Sequence, residues 1–429
     1  MKVSRTAIVS AAAAAMIVAP ASTTSTVIAA PAATDHAVVL VANSDDGPSG
    51  TNVNDSGTDK NKNKTRQSGG GHAHNYNLNA NSNKNDASAS GANSEAGNSN
   101  TKSDSNDNKA KATNGGYASN GNAGGGTVQR GGNNLNTAEA DGANSKASND
   151  IRGSHNDSNA KSTGGGQATN TVTGNNNGSL HADANGTGSV GRNTIVGDNN
   201  NTDSKANGAN TTSIAKVEGN GNDVDNRATN GGTALTDVAG SGFNGAGNNN
   251  KLNVTGDNGR AHGYALGNDN KANASATNTG TAVGTTVATA DGTRNKADAI
   301  AVGTGSLANT VLVGTDNTGS AKATRGGFAQ SSIGGNNGKV SSIADGAGSS
   351  AKASVRADNA KAEAEAYGGG TASAKANRPA TYAKAYAIGS GASANATVGD
   401  TAAGDEAVAT CTGGGHAIAY TSTGKFDFC

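Results

Sequence analysis

Small apolar residues recur at every second position in short blocks, and each block stops at glycine. The stretch 297–314, ADAIAVGTGSLANTVLVG, shows this twice. Alternation at period two marks a strand with one buried face. In residues 267–278, GNDNKANASATN, Ala272, Ala274 and Ala276 alternate with Asn273, Ser275 and Thr277. Gly256, Gly267, Gly280, Gly292, Gly303 and Gly314 follow one another at spacings of 11, 13, 12, 11 and 11, and are expected at turns. A unit that short holds a strand and a turn but not a helical repeat. The segment 361–367, KAEAEAY, is rich in helix formers. Its charges also alternate at period two, so a strand is expected there.

Composition decides what such strands can enclose. Only 32% of the 429 residues are hydrophobic, Trp is absent, and Tyr and Phe number seven and four. Gly numbers 65, Pro four, and Asn about sixty, far above ordinary usage. A conventional core needs more Leu, Ile, Val and Phe than this chain has. A thin solenoid filled by Ala and Val fits, with Gly and Asn supplying positive φ at corners and Asn stacking in ladders up the turns. The competing reading is a disordered polar chain.

A longer phrase argues for order. It reads RQSGGGHA at 66–73, KATNGGYA at 111–118, KSTGGGQA at 161–168, RATNGGTA at 227–234, KATRGGFA at 322–329, AYGGGTA at 366–372 and CTGGGHA at 411–417. A weaker copy, ATNTGTA, lies at 276–282. The closing alanines, Ala73, Ala118, Ala168, Ala234, Ala282, Ala329, Ala372 and Ala417, are spaced 45, 50, 66, 48, 47, 43 and 45 apart. The expected fold is therefore an all-β solenoid of about eight units of roughly 47 residues, four short strands each, with an insertion between Ala168 and Ala234. A β-propeller would need bulky blade cores.

Residues 1–32 read as a secretory signal: Lys2 and Arg5, then the apolar run 7–19, then small-residue cleavage options near Ala21 and Ala32. Residues 33–65 read as a loose N-terminal segment, 66–405 as the repetitive solenoid and 406–429 as a C-terminal cap. No later segment is long enough to span a membrane as a helix. Cys411 and Cys429 are the only two cysteines. In a secreted chain they read as a structural disulfide closing that cap around Tyr420, Phe426 and Phe428, a loop worth about 3 kcal/mol.

The sequence points to no catalytic site, cofactor or metal. His72 and His74 alternate and would share one side of a strand, half of a metal site with no third ligand in view. His416 matches His72 in the repeat, and His36, His155, His181 and His262 sit in unrelated contexts. No nucleophile-elbow spacing is present, and Gly164–Gly166 lacks the Lys-Ser/Thr of a phosphate loop. The spacing of calcium-binding nonapeptides does not recur. Lys plus Arg equals Asp plus Glu at 33 each, which argues against a basic nucleic-acid surface.

The phrases AIAVGTGSLA (299–308), YAIGSGASA (386–394) and YALGNDNKANA (264–274) resemble the head repeats of trimeric autotransporter adhesins, the YadA-like β-rolls. The likeness is clearest over 247–400. It implies surface exposure and adhesion to host or matrix. The C-terminal region has neither that family's coiled-coil stalk nor its anchoring barrel. The Gly-rich phrases and the paired cysteines are also similar to secreted repeat proteins of actinobacteria. The expected function is thus that of a secreted, non-catalytic repeat protein of the cell surface or matrix, adhesive or structural, with an extracellular surface or matrix component, or a further copy of itself, as partner. A self-assembling amyloid-like biofilm component is the first alternative, although Gln is scarce (Gln67, Gln129, Gln167, Gln330). Ice binding is the second, although Thr171/Thr173 and Thr279/Thr281 are isolated pairs.

Overall fold

The computed structural model describes the backbone of 26–28 and 49–55 and then most of 62–420, with the longest omissions after residue 62 at 124–133 and 240–250. Every described element is a strand. From Ser49 onward, successive strands fall alternately into two parallel sheets, here called face A and face B, so that each strand pairs with the next but one along the chain. That is a β-solenoid with two strands per coil. Parallel pairing forces it: strands that turn through a corner cannot pair with their immediate successor in parallel. The chain divides into two units, 1–206 and 207–429.

In the second unit the face A strands include Leu307–Thr315, Phe328–Asn336, Ser350–Arg356, Thr371–Ala376, Ser393–Val398 and His416–Tyr420. Register fixes Ala308, Ala329, Ala351, Ala372, Ala394 and Ala417 one above another. Their spacings are 21, 22, 21, 22 and 23 residues, the length of one coil. The segment 361–367 is a strand as its charge pattern predicts, with Ala362, Ala364 and Ala366 fully buried. The apolar part of this unit's interior is mostly Ala, with occasional Val, Leu and Ile, and buried polar residues such as Asn226, Ser306, Thr310, Asn317, Ser331 and Ser342 stand among them. Where a larger residue enters, glycine stands opposite, within the facing strand at Gly319 and just before one at Gly338. A Cβ on Gly319 would come within 2.3 Å of Leu312 Cδ1, and one on Gly338 within 2.7 Å of Ile333 Cδ1. Close packing thus sets residue size position by position.

The structural repeat is shorter than the unit of roughly 47 residues expected from the sequence. The recurring phrase ends on the second residue of a face A strand, and within either unit it marks every second coil, as at Ala73 and Ala118 or Ala329 and Ala372. The 66-residue interval between Ala168 and Ala234 holds two further face A strands, Val190–Ile195 and Thr212–Val217, where the intervals 73–118 and 329–372 hold one each, so the suspected insertion has the length of one more coil. Ala282 lies outside the described residues.

The turns follow the expected chemistry with two exceptions. Gly292 and Gly303 occupy turns at φ 131 and 141°, and Asn or Asp takes positive φ at Asp269, Asp316, Asn337 and Asn359. Gly314, at φ 115°, lies within the end of strand Leu307–Thr315. Gly256 instead occupies an inward position of strand Lys251–Asp257, because the alternation of Leu252 and Val254 carries it inside. Gly267 and Gly280 lie outside the described residues.

In the first unit the interior is built differently. The fourth residue of successive face A strands is Asn75, Asn98, Asn120, Asn149, Asn170 and Asn193, each at most 3% exposed. Each Nδ2 donates to the next Oδ1, at 2.9, 2.9, 3.1, 3.2 and 3.1 Å. The second Nδ2 hydrogen of Asn98, Asn120, Asn149 and Asn193 reaches a face B carbonyl, of Lys109, Thr137, Asn159 and Asp203, at 2.7–2.8 Å. A second ladder, Asn85 to Asn108 to Asn136 at 2.8 Å per step, runs through face B. Asn ladders were expected at the turns. Two such steps stand side by side among the described residues, Asn199 donating to Asn176 at 3.1 Å and Asn200 donating to Asn177, but the long ladders lie inside the strands.

Strand pairing reaches into segments expected to carry none. Ser49–Asp55 pairs with His72–Leu78, Lys62–Gln67 pairs with Lys84–Ser90, and Thr26–Ile28 pairs with 51–53. Residues 1–25 and 29–48, and so most of the expected signal segment, lie outside the described residues. At the other end, Glu406–Thr412 and His416–Tyr420 continue both faces as regular strands. Cys411 is an inward residue of the first of these, 7% exposed, its Sγ 3.6 Å from the Ala392 carbonyl oxygen. Cys429, Phe426 and Phe428 lie outside the described residues.

Two substitutions test this account. Asn149→Asp removes both amide donors and places a carboxylate oxygen against the Asn170 Oδ1 and the Asn159 carbonyl. It should destabilise by about 3 kcal/mol or more. Asn149→Ala should cost less, about 1–2 kcal/mol, because Ala fits this column in the other unit. Denaturant melts followed by circular dichroism read both; equal losses would contradict the ladder. Gly335, at φ 143°, would place a Cβ 1.6 Å from the Gly314 carbonyl oxygen. Gly335→Ala should therefore cost about 2 kcal/mol or more in the same melts.

Candidate functional site

With the inward positions filled by Ala and Asn, chemistry is left to the outward columns. Parallel register stacks equivalent outward residues from coil to coil at about 4.8 Å. Three places on these faces concentrate ionisable or aromatic groups.

The first is on face A of the first unit. His72 and His74 alternate on one strand, and register sets Glu95 opposite His72 and Gly97 opposite His74. His72 Nδ1 lies 3.0 Å from Glu95 Oε2, and His74 Nε2 lies 3.8 Å from Glu95 Oε1. The two imidazoles are near-parallel, with ring centroids 6.2 Å apart. Gly97 leaves room for the second ring: a Cβ there would fall 2.6 Å from His74 Nδ1. Burial pulls the His74 pKa below the ordinary imidazole value; the Glu95 carboxylate opposes this and His72 adds to it. The sequence brings the two histidines together but does not reveal Glu95, which lies one coil away. His416 holds the same first strand position as His72. His181 lies on face B, its Nδ1 3.2 Å from Asp203 Oδ2.

The second place surrounds that pair. Asp183 sits beside Lys161, Lys205, Asp203 and His181. Burial raises its carboxyl above the usual range, and the nearby Lys205 counteracts this. Burial also raises Asp157.

The third is on face B of the second unit. The first residues of successive strands are Lys251, Lys271, Lys296, Thr318, Lys339 and Lys361. Lys296 and Lys361 pair with Asp298 and Glu363, at 3.1 and 2.7 Å. Lys251, Lys271 and Lys339 are exposed and have no ion pair among the described residues. A balanced total of charges conceals this row, because its lysines are about 20 residues or more apart in sequence. The row runs into an aromatic patch. Lys361 Nζ stands 5.0 Å from the Tyr382 ring centre, and Tyr367 and Tyr386 meet edge to face at 6.3 Å.

Compared with protein families, curated proteins and solved structures, the chain matches none. Among the described residues, no helix is long and apolar enough to cross a membrane.

The aromatic patch yields a titration. Tyr367 donates its phenolic hydrogen to Glu365 Oε2 at 2.8 Å, and that bond, with burial, pushes its pKa from 10.0 up to about 12. The raised value means that this contribution to stability is complete below pH 10 and is lost as pH rises through about 12. Ultraviolet tyrosinate titration should show a late-ionising phenol that Tyr367→Phe or Glu365→Gln removes. Identical curves would contradict the bond.

Proposed function

We propose that this chain is a secreted, non-catalytic repeat protein of the cell surface or extracellular matrix that acts by adhesion. The observation that carries the reading is the in-register repetition of outward side chains, of which the lysine row on face B is the most uniform example. A row of cations at strand spacing, ending in a tyrosine patch, suits an extended acidic partner such as a carboxylated or sulfated surface polymer. Each contact is weak, and contacts along one rigid array add by avidity. The resemblance to YadA-like head repeats points the same way. Secretion rests on the charged start, apolar run and small-residue sites of 1–32. A Cys411–Cys429 disulfide belongs to this reading, as a clasp on the last coil in an oxidising compartment.

Self-assembly into fibres is a second reading, favoured by the buried Asn ladders, which resemble the side-chain stacks of cross-β fibres. Thioflavin-positive fibres forming from the purified chain would support it over the first.

The adhesive reading is tested by binding of the full chain to an immobilised acidic polysaccharide. The triple substitution Lys251→Gln, Lys271→Gln, Lys339→Gln should weaken binding by about tenfold or more and flatten its salt dependence. Binding unaffected by the three changes would overturn the role of the row.

A further inference from the structure

We propose that His72, His74 and Glu95 form a binding site for a divalent late first-row transition ion, zinc or copper, on the outer surface of face A. Their donor atoms all lie within 4.8 Å of one another. An ion held at about 2.0–2.2 Å by each ligand needs donors about 3.3–3.6 Å apart. The His72–Glu95 and His74–Glu95 distances of 3.0 and 3.8 Å bracket that requirement.

The scaffold fixes the arrangement. Alternation along one strand points both imidazoles outward, and parallel pairing delivers the carboxylate from the next coil, 23 residues later. Gly97 opposite His74 leaves the space that its ring occupies. Two imidazoles and one carboxylate, with a coordination position open to solvent, match the preferences of zinc and copper(II). Calcium and magnesium favour all-oxygen sets. The site does not depend on the adhesive reading, since its residues belong to the first unit and the lysine row belongs to the second.

A bare ion pair between Glu95 and the histidines is the competing account, and metal titration separates the two. The full chain is titrated calorimetrically with zinc chloride and with copper(II), alongside Glu95→Gln and the double variant His72→Ala, His74→Ala. The wild type should show a binding event absent from the double variant and weakened at least about tenfold in Glu95→Gln. Calcium should give no such event. Glu95→Gln is nearly isosteric and at the surface, and an unchanged strand spectrum will show that it folds. Superimposable isotherms for wild type and double variant, whether flat or not, would overturn the proposal.

Discussion

The buried amide ladder is the interaction on which the first unit depends. A thin solenoid cannot exclude water by bulk, so each inward side chain must either pack against its neighbours or satisfy its own polar atoms. Asn does the second. Its Oδ1 accepts from the coil below while its Nδ2 donates both to the coil above and across to the opposite sheet. A buried amide left unpaired would cost more than the ladder returns, so the arrangement holds only when register is kept coil after coil. The ladder therefore specifies register as well as stabilising it. It begins at the Thr65 hydroxyl, which donates to Asn75 Oδ1.

The second unit meets the same constraint by packing. The equivalent column there reads Thr310, Ser331, Ala353, Ala374, Ala396 and Ala419. Thr310 and Ser331 send their hydroxyls to carbonyls of the facing strand at 2.8 Å, Ser342 does the same from face B at 2.7 Å, and after Ser331 the column is Ala alone as far as Ala419. Alanine carries no polar atom to satisfy and little side-chain entropy to lose. Its cost is intolerance of size, seen in the glycines facing Leu312 and Ile333. Two solutions to one geometric problem thus occupy different parts of the same chain. In both, the outward positions are left free to carry charge and aromatics.

Much of this was legible in the sequence. The period-two Ala pattern gives strands, inward faces and the solenoid class, and it places 361–367 in a strand against its helical propensity. The coil length was masked because the Gly-Gly phrase labels only alternate coils, while the coils between carry turns such as Gly303–Thr304–Gly305 and Gly346–Ala347–Gly348. The ladder was hidden because Asn is a turn former by habit. Its parity tells otherwise: HAHN, EAGN, YASN, KASN and QATN each place Asn two residues after an inward Ala. Glu95 and the lysine row could be found only by register, since no local pattern links residues a whole coil apart.

The most direct test of the account is hydrogen exchange at the Asn side-chain amides, followed by NMR on the full chain. Asn98, Asn120, Asn149, Asn170 and Asn193 should exchange orders of magnitude more slowly than the exposed Asn199, with protection falling together when Asn149 is replaced by Asp. Side-chain amides that all exchange at unprotected rates would contradict a buried ladder, and with it the two-faced parallel coil that the ladder requires.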